Sequence, residues 1–187
     1  MQPETLSGGF SDPAIQSAHA FRSVMEAMAR PGSIYEISGA MPPAPLSKAA
    51  GAVLLTLCDT DTPIYLAGSA DCDAVRAWLA FHTGASLVGP SHCMFALGTW
   101  EALNPLTNYS IGTSQYPDRS ATLIVEQPDL SQGGAILEGP GIKTTASLSL
   151  PDVQAFQFNS GLFPLGLDFI FTAGERVAAL PRSTKVS

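Results

Sequence analysis

From Ser47 the chain runs Lys-Ala-Ala-Gly-Ala-Val-Leu-Leu-Thr-Leu to Leu57, and this stretch constrains the fold more than any other. Ser47 suits an N-cap, because its hydroxyl can accept an amide that the first helical turn leaves unpaired. The helix that it starts is apolar nearly all round. A helix with no polar face to give to water is buried within a larger structure rather than laid on its surface.

Helix and strand signals alternate around it. Ser11-Asp12-Pro13 predicts a helix start, with a capping side chain and a proline whose missing N–H is harmless in the first turn. Ile15, Ala18, Phe21, Met25 and Met28 recur at steps of three or four as the expected core stripe, and Arg30-Pro31-Gly32 stops the helix. Ser33–Ser38 alternates like a strand, and Met41–Pro45 is a proline-rich connector. Asp59–Pro63 turns the chain into a strand at Ile64–Leu66. Asp73–His82 predicts a helix with Val75, Trp78, Leu79 and Phe81 as its apolar set, stopped by Thr83-Gly84. Short strands are expected at Ser86–Val88, Met94–Leu97, Ser120–Glu126, Ala135–Leu137, Leu167–Phe171 and Val177–Leu180, with a further helix over Asp152–Asn159.

This order predicts an α/β fold: a three-layer domain with a mixed, mostly central β-sheet flanked by helices. The 187 residues fit a single domain, 1–187, with about residues 1–10 as a flexible N-terminus. Charged residues make up only 13% of the chain, against about 25% in a typical soluble domain. So little charge favours an oligomer or a subunit whose surface is partly covered. The net charge of −7 and the lack of any Lys or Arg cluster argue against a nucleic-acid partner. Cys58, Cys72 and Cys93 are odd in number and widely spaced, which fits a reducing compartment. The N-terminus lacks a basic-then-apolar leader, and the longest nearly apolar run, Ala49–Cys58, is roughly half a membrane span. A cytoplasmic protein with no membrane contact is expected.

No candidate for chemistry outweighs its structural reading. Gly139-Pro140-Gly141-Ile142-Lys143-Thr144-Thr145 follows a predicted strand, but Ile142 stands where a phosphate-binding loop needs glycine, and a tight turn explains it better. Lys143 is a Schiff-base candidate only if buried, and a solvent-facing lysine is the simpler reading. His19, His82 and His92 show no paired spacing with the cysteines for a metal. Asp59 with Asp61, and Asp71 with Asp73, sit where aspartates cap helices or close turns. No Gly-x-Ser-x-Gly elbow is present. Arg119 suits either an internal partner, Asp118 or Glu126, or a subunit contact.

Eight strings in order nonetheless form a pattern: Gly9-Phe10-Ser11-Asp12-Pro13; Phe21 with Met25-Glu26-Ala27-Met28-Ala29-Arg30-Pro31-Gly32; Leu55-Thr56-Leu57 with Asp59 and Asp61-Thr62-Pro63; and Phe81-His82-Thr83-Gly84-Ala85. The rest are Gly112-Thr113 with Tyr116-Pro117-Asp118-Arg119-Ser120-Ala121-Thr122; Gly139-Pro140-Gly141-Ile142; Phe163-Pro164-Leu165-Gly166-Leu167-Asp168; and Leu180-Pro181-Arg182-Ser183-Thr184. With these the chain resembles the H-subunit family of the bacterial carbon-phosphorus lyase core complex, proteins of phosphonate metabolism.

The resemblance implies a fold similar to the large domain of pyridoxal-phosphate-dependent transferases without the cofactor site, and no catalytic, cofactor-binding or metal residues of its own. It implies partners in the G, I and J subunits, and a homodimer when isolated. The assembly it implies forms a ribose 1-alkylphosphonate 5-triphosphate from alkylphosphonate and ATP, and leaves the radical and iron-sulfur chemistry to the J subunit. Two other readings stay open: an independent nucleotide- or phosphate-binding enzyme using the 139–145 loop with Arg119, and a dimeric scaffold unrelated to phosphonates.

Overall fold

A computed structural model describes residues 7–187. The first half alternates as the sequence predicts. Helix α1 (Pro13–Ala29) starts at Asp12, whose carboxylate accepts the Ile15 amide, and leads to the short strand β1 (Tyr35–Glu36). Helix α2 (Lys48–Leu57) is capped by the Ser47 hydroxyl, which accepts the Ala50 amide at 3.1 Å. Strand β2 (Ile64–Leu66), helix α3 (Asp73–His82), strand β3 (Phe95–Thr99) and the one-turn helix α4 (Trp100–Leu103) follow. The second half holds β4 (Thr122–Glu126), β5 (Ala135–Glu138), β6 (Ala146–Leu148), α5 (Val153–Ser160), β7 (Asp168–Ala173), β8 (Arg176–Leu180) and β9 (Lys185–Val186).

Six strands form a mixed sheet in the order β1-β8-β7-β4-β3-β2. Strands β2, β3, β4 and β7 are parallel, and β8 and β1 are added antiparallel. A smaller antiparallel sheet has the order β6-β5-β9. The pleat of the large sheet sends alternate side chains to opposite layers. Leu97, Ile124, Ile170 and Val177 meet α1, α2 and α3, while Ala96, Leu123, Val125, Phe169 and Phe171 meet α4, α5 and the small sheet. The large sheet is thus covered on both faces as expected, but the second face is covered by the small sheet as well as by helices, and the apolar α2 is buried within the helix layer, with Ala49 through Leu54 all inaccessible.

Helix α1 is rotated relative to its predicted phase. Its buried residues are Ala20, Val24 and Ala27, whereas Ile15, Phe21 and Met25 are 58%, 52% and 49% exposed. Only Met28 of the expected stripe packs against the core, and it does so partly buried. Helix α1 packs on both α2 and β8, and it approaches them through Ala20, Val24 and Ala27, while its larger side chains turn outward.

Strand limits differ where pairing runs out. Of Ser33–Ser38, only Tyr35 and Glu36 join the ladder. Ser86–Val88 is reduced to a single bridge between Leu87 and Ile64, ahead of Gly89-Pro90. Residues 1–6 of the stretch expected to be flexible lie outside the described residues. Ser7 to Phe10 are tied in: the Ser7 carbonyl accepts the Trp78 indole N–H at 3.2 Å, and Gly8 O accepts the Met41 amide at 2.8 Å.

The rotated α1 predicts opposite outcomes for two neighbouring substitutions. Val24→Asp buries a charge in the helix layer and should cost several kcal/mol, on the order of the penalty for an unpaired buried polar group, lowering the urea midpoint sharply. Phe21→Asp, at a half-exposed position, should cost about 1 kcal/mol or less and shift the same midpoint far less.

Candidate functional site

The structure places the sequence candidates apart. Residues 139–145 join two antiparallel strands, β5 and β6, as a hairpin closed by the Ile142 amide donating to Gly139 O at 3.1 Å. A phosphate loop needs a strand leading into a helix N-terminus, and none follows here. Lys143 is exposed at the tip. His19 lies exposed on α1, His92 sits 2.9 Å from the Ser91 hydroxyl, and His82 packs its ring against Trp78 and Phe81 at the end of α3. Among the described residues no group of three or more His, Cys, Asp or Glu is placed to hold a metal ion. Burial pushes the Cys58 thiol up to about 12 and the Cys93 thiol up to about 11, so both stay protonated and unreactive near neutral pH.

The aspartate pairs do local work. Asp59 accepts the Asp61 amide at 2.9 Å within a turn, Asp71 pairs with Arg76, and Asp73 opens α3. The Asp71 carboxyl is held below its usual range by the Arg76 hydrogen bond. Arg119 finds neither expected carboxylate; its guanidinium lies 4.1 Å from the centre of the Tyr116 ring, on the exposed face of a loop.

Two polar clusters do converge, one at each edge of the large sheet. At the amino edge Arg182 spans three chain segments. It donates from its own amide (2.8 Å) and Nε (3.2 Å) to Asp168 Oδ1, from Nη1 to Pro117 O (2.7 Å), and from Nη2 to Asp168 Oδ2 and Ser120 Oγ. The two charged side chains are 15% and 17% exposed. At the carboxyl edge Glu126, the last residue of β4, accepts the Ser47 amide at 2.7 Å and the Thr172 hydroxyl at 3.0 Å, which fastens the start of α2 to β4 and β7. Burial raises the Glu126 carboxyl above its usual range, against hydrogen bonds from Ser47 and Thr172 that favour the ionised form. Neither cluster was singled out by local sequence signals. Arg182 lies in one of the quoted strings, but only its distance in space from Pro117 and Ser120, 65 and 62 residues away along the chain, makes it a hub.

The strings behind the family resemblance also meet in pairs. Gly141 has φ +83°, and a Cβ there would lie 1.8 Å from Ala29 O, so the Gly139-Pro140-Gly141 turn is pressed onto the end of α1. A Cβ on Gly9 would lie 2.6 Å from the His82 imidazole. Gly139 faces Ser183 O, and a Cβ on Gly166 would lie 3.5 Å from Arg182 Cβ.

A family model described as bacterial phosphonate metabolism protein (PhnH) matches residues 8–187. The chain belongs to the PhnH family. It is similar to the alpha-D-ribose 1-methylphosphonate 5-triphosphate synthase subunit PhnH of Rhizobium meliloti, 42% identical over 99% of this chain and 97% of that protein. It is also 27% identical, over 90% of this chain and 84% of the other, to a putative C-P lyase subunit protein, HtxG, of Stutzerimonas stutzeri. Both relatives are named as subunits. In this PhnH-family chain the quoted strings therefore mark contacts that close the fold, and the chain's sheltered ion pair, Arg182 with Asp168, is one of those fasteners.

Two measurements separate the clusters. Arg182→Ala leaves Asp168 sheltered without its cation and should cost about 3–5 kcal/mol in urea unfolding, the range for breaking a buried pair. Glu126→Ala orphans the Ser47 amide and Thr172 hydroxyl at about 1–3 kcal/mol each, while Glu126→Gln keeps an acceptor and should be tolerated. Because the folded carboxyl is raised, the native state binds the extra proton, and the stability linked to it is lost as pH rises through the raised value. Wild-type stability should therefore fall relative to Glu126→Gln as pH climbs through and above the ordinary glutamate range, then level off, as read by thermal melts.

Proposed function

We propose that the chain is a non-catalytic subunit of the carbon-phosphorus lyase assembly, acting with G, I and J subunits to form ribose 1-alkylphosphonate 5-triphosphate from ATP and alkylphosphonate. The observation that carries this is the 42% identity, over nearly both full lengths, to a protein named as a subunit of the methylphosphonate-handling synthase. The internal use of the polar side chains supports the non-catalytic role: the two convergent clusters hold the fold, and the loop nearest in pattern to a phosphate cradle is a hairpin. Among the described residues no helix is long and apolar enough to cross a membrane, in keeping with a cytoplasmic protein.

The same reading includes a single domain, a likeness to the large domain of pyridoxal-phosphate-dependent transferases without the cofactor site, and a homodimer when the chain is alone. The parallel strands with an antiparallel edge support the likeness. The low charged fraction of 13% supports self-association in the absence of other subunits.

Expressed with tagged G, I and J subunits, the chain should co-purify in a fixed ratio, and its deletion should abolish growth on methylphosphonate as sole phosphorus source. Calorimetry of the isolated chain with ATP should show no saturable binding. Stable growth without the gene, together with a chain that never enters the complex, would sink the reading.

A further inference from the structure

The outward face of α1 carries large apolar side chains that the fold leaves about half exposed. The helix has 17 residues, about 25 Å at 1.5 Å per residue, and its exposed side carries Ala14, Ala18, Phe21, Met25 and Ala29 in a continuous stripe, with Ile15 at one end. A groove of about 770 Å³ runs beside it, bounded by His19, Arg22 and Glu26 from α1 and by Tyr35 and Glu36 from the edge strand β1. A ridge of small and large side chains next to a groove is the shape into which a second helix packs.

Arg22 states what that helix must carry. Acidic side chains outnumber basic ones 16 to 9. Arg30, Lys48, Arg76, Arg176 and Arg182 each take an internal carboxylate, and Arg22 is in none of these ion pairs among the described residues. The carboxylate one turn along, Glu26, is held by Arg30 instead, the more favourable order of the two charges along a helix. Arg22 is thus an exposed guanidinium bordering an apolar stripe, the composition of an interface anchor. A second copy docked about a two-fold axis through Phe21 and Met25 would crowd two Arg22 guanidiniums near the axis.

We propose that this face of α1 and the groove beside it receive a helix of another subunit, which sets apolar side chains on Phe21 and Met25 and a carboxylate against Arg22. This rests on the reading that the chain is a subunit of the phosphonate-cleaving assembly. The test is retention of the chain by co-expressed tagged G, I and J subunits, with thermal melts of each isolated variant to show an intact fold. Phe21→Glu combined with Met25→Glu should reduce retention at least tenfold, and Arg22→Glu should reduce it measurably, with melts close to wild type. Phe163→Ser, at an exposed aromatic on the amino edge of the sheet, should be retained like wild type. A folded double variant retained in full overturns the proposal. So does loss of retention through Phe163→Ser rather than through α1, or a homodimer that the double variant dissolves while partner retention persists. Wild-type chain that the partners fail to retain overturns the subunit reading and this surface with it.

Discussion

In strands β4 and β7 the side chains of Leu123, Ile124, Val125, Phe169, Ile170 and Phe171 are all inaccessible, on both faces of the sheet. Each such side chain contributes about 1.5–3 kcal/mol only if both faces are covered. That requirement shapes the rest of the molecule. One face takes α1, α2 and α3; the other has only the single turn of α4 and the eight residues of α5, so the small sheet must complete it. Phe156 on α5 does much of this filling, edge-on to both Phe169 and Phe171, and Trp100 packs against it at 4.9 Å. The short strands β5, β6 and β9 have no stability to speak of alone; they persist because Leu137, Leu148 and Val186 close this layer.

How legible this was in the sequence depended on whether the deciding contact was local. Helix α2 was legible because its cap, stop and apolar set lie within about ten residues, and α3 was placed by its stop and by Val75, Trp78 and Leu79, whereas Phe81, expected with them, is 58% exposed. The three layers followed from alternation alone. The phase of α1 was not legible, because hydrophobic periodicity ranks Phe21 and Met25 above Ala20 and Ala27, whereas the packing on α2 and β8 reverses that order. Strands β6 and β9, at three and two residues, are too short for periodicity to register, and unlike the three-residue β2, which the Asp59–Pro63 turn announces, they were not placed by a turn signal.

The clusters show the same limit for polar side chains. Arg119 and Arg182 both lie in the quoted strings, Arg119 two residues after Pro117 and Arg182 next to Pro181, and of the two only Arg119 was read from the sequence as suited to a carboxylate. Their roles diverged for reasons invisible along the chain. Arg182 lies two residues past the end of β8, against Asp168, the first residue of the neighbouring strand, while Arg119 sits on a turn that faces solvent and rests on Tyr116. The other ion pairs are open to water, with side-chain exposures from 33% to 69%, and pairs of that kind add about 0–1 kcal/mol. The sheltered Arg182–Asp168 pair is different. It joins the 117–120 loop, the start of β7 and the segment after β8, so its loss would loosen three segments at once.

The inverted phase of α1 also bears on why so lightly charged a chain exposes large apolar groups. Had α1 turned Phe21 and Met25 inward, their bulk would have held it away from α2 and β8, and the gap would have forfeited contacts on every atom lining it. With Ala20, Val24 and Ala27 inside, the helix layer packs closely, and the burial of Phe21, Met25 and Ile15 is left unrealised by the folded chain. That unrealised burial is a property of the fold itself rather than a flaw in one side chain. Phe21 and Met25 are about half exposed, so trimming either to alanine removes as much exposed apolar area as packed area, and the stability of the fold accounts for only part of their size.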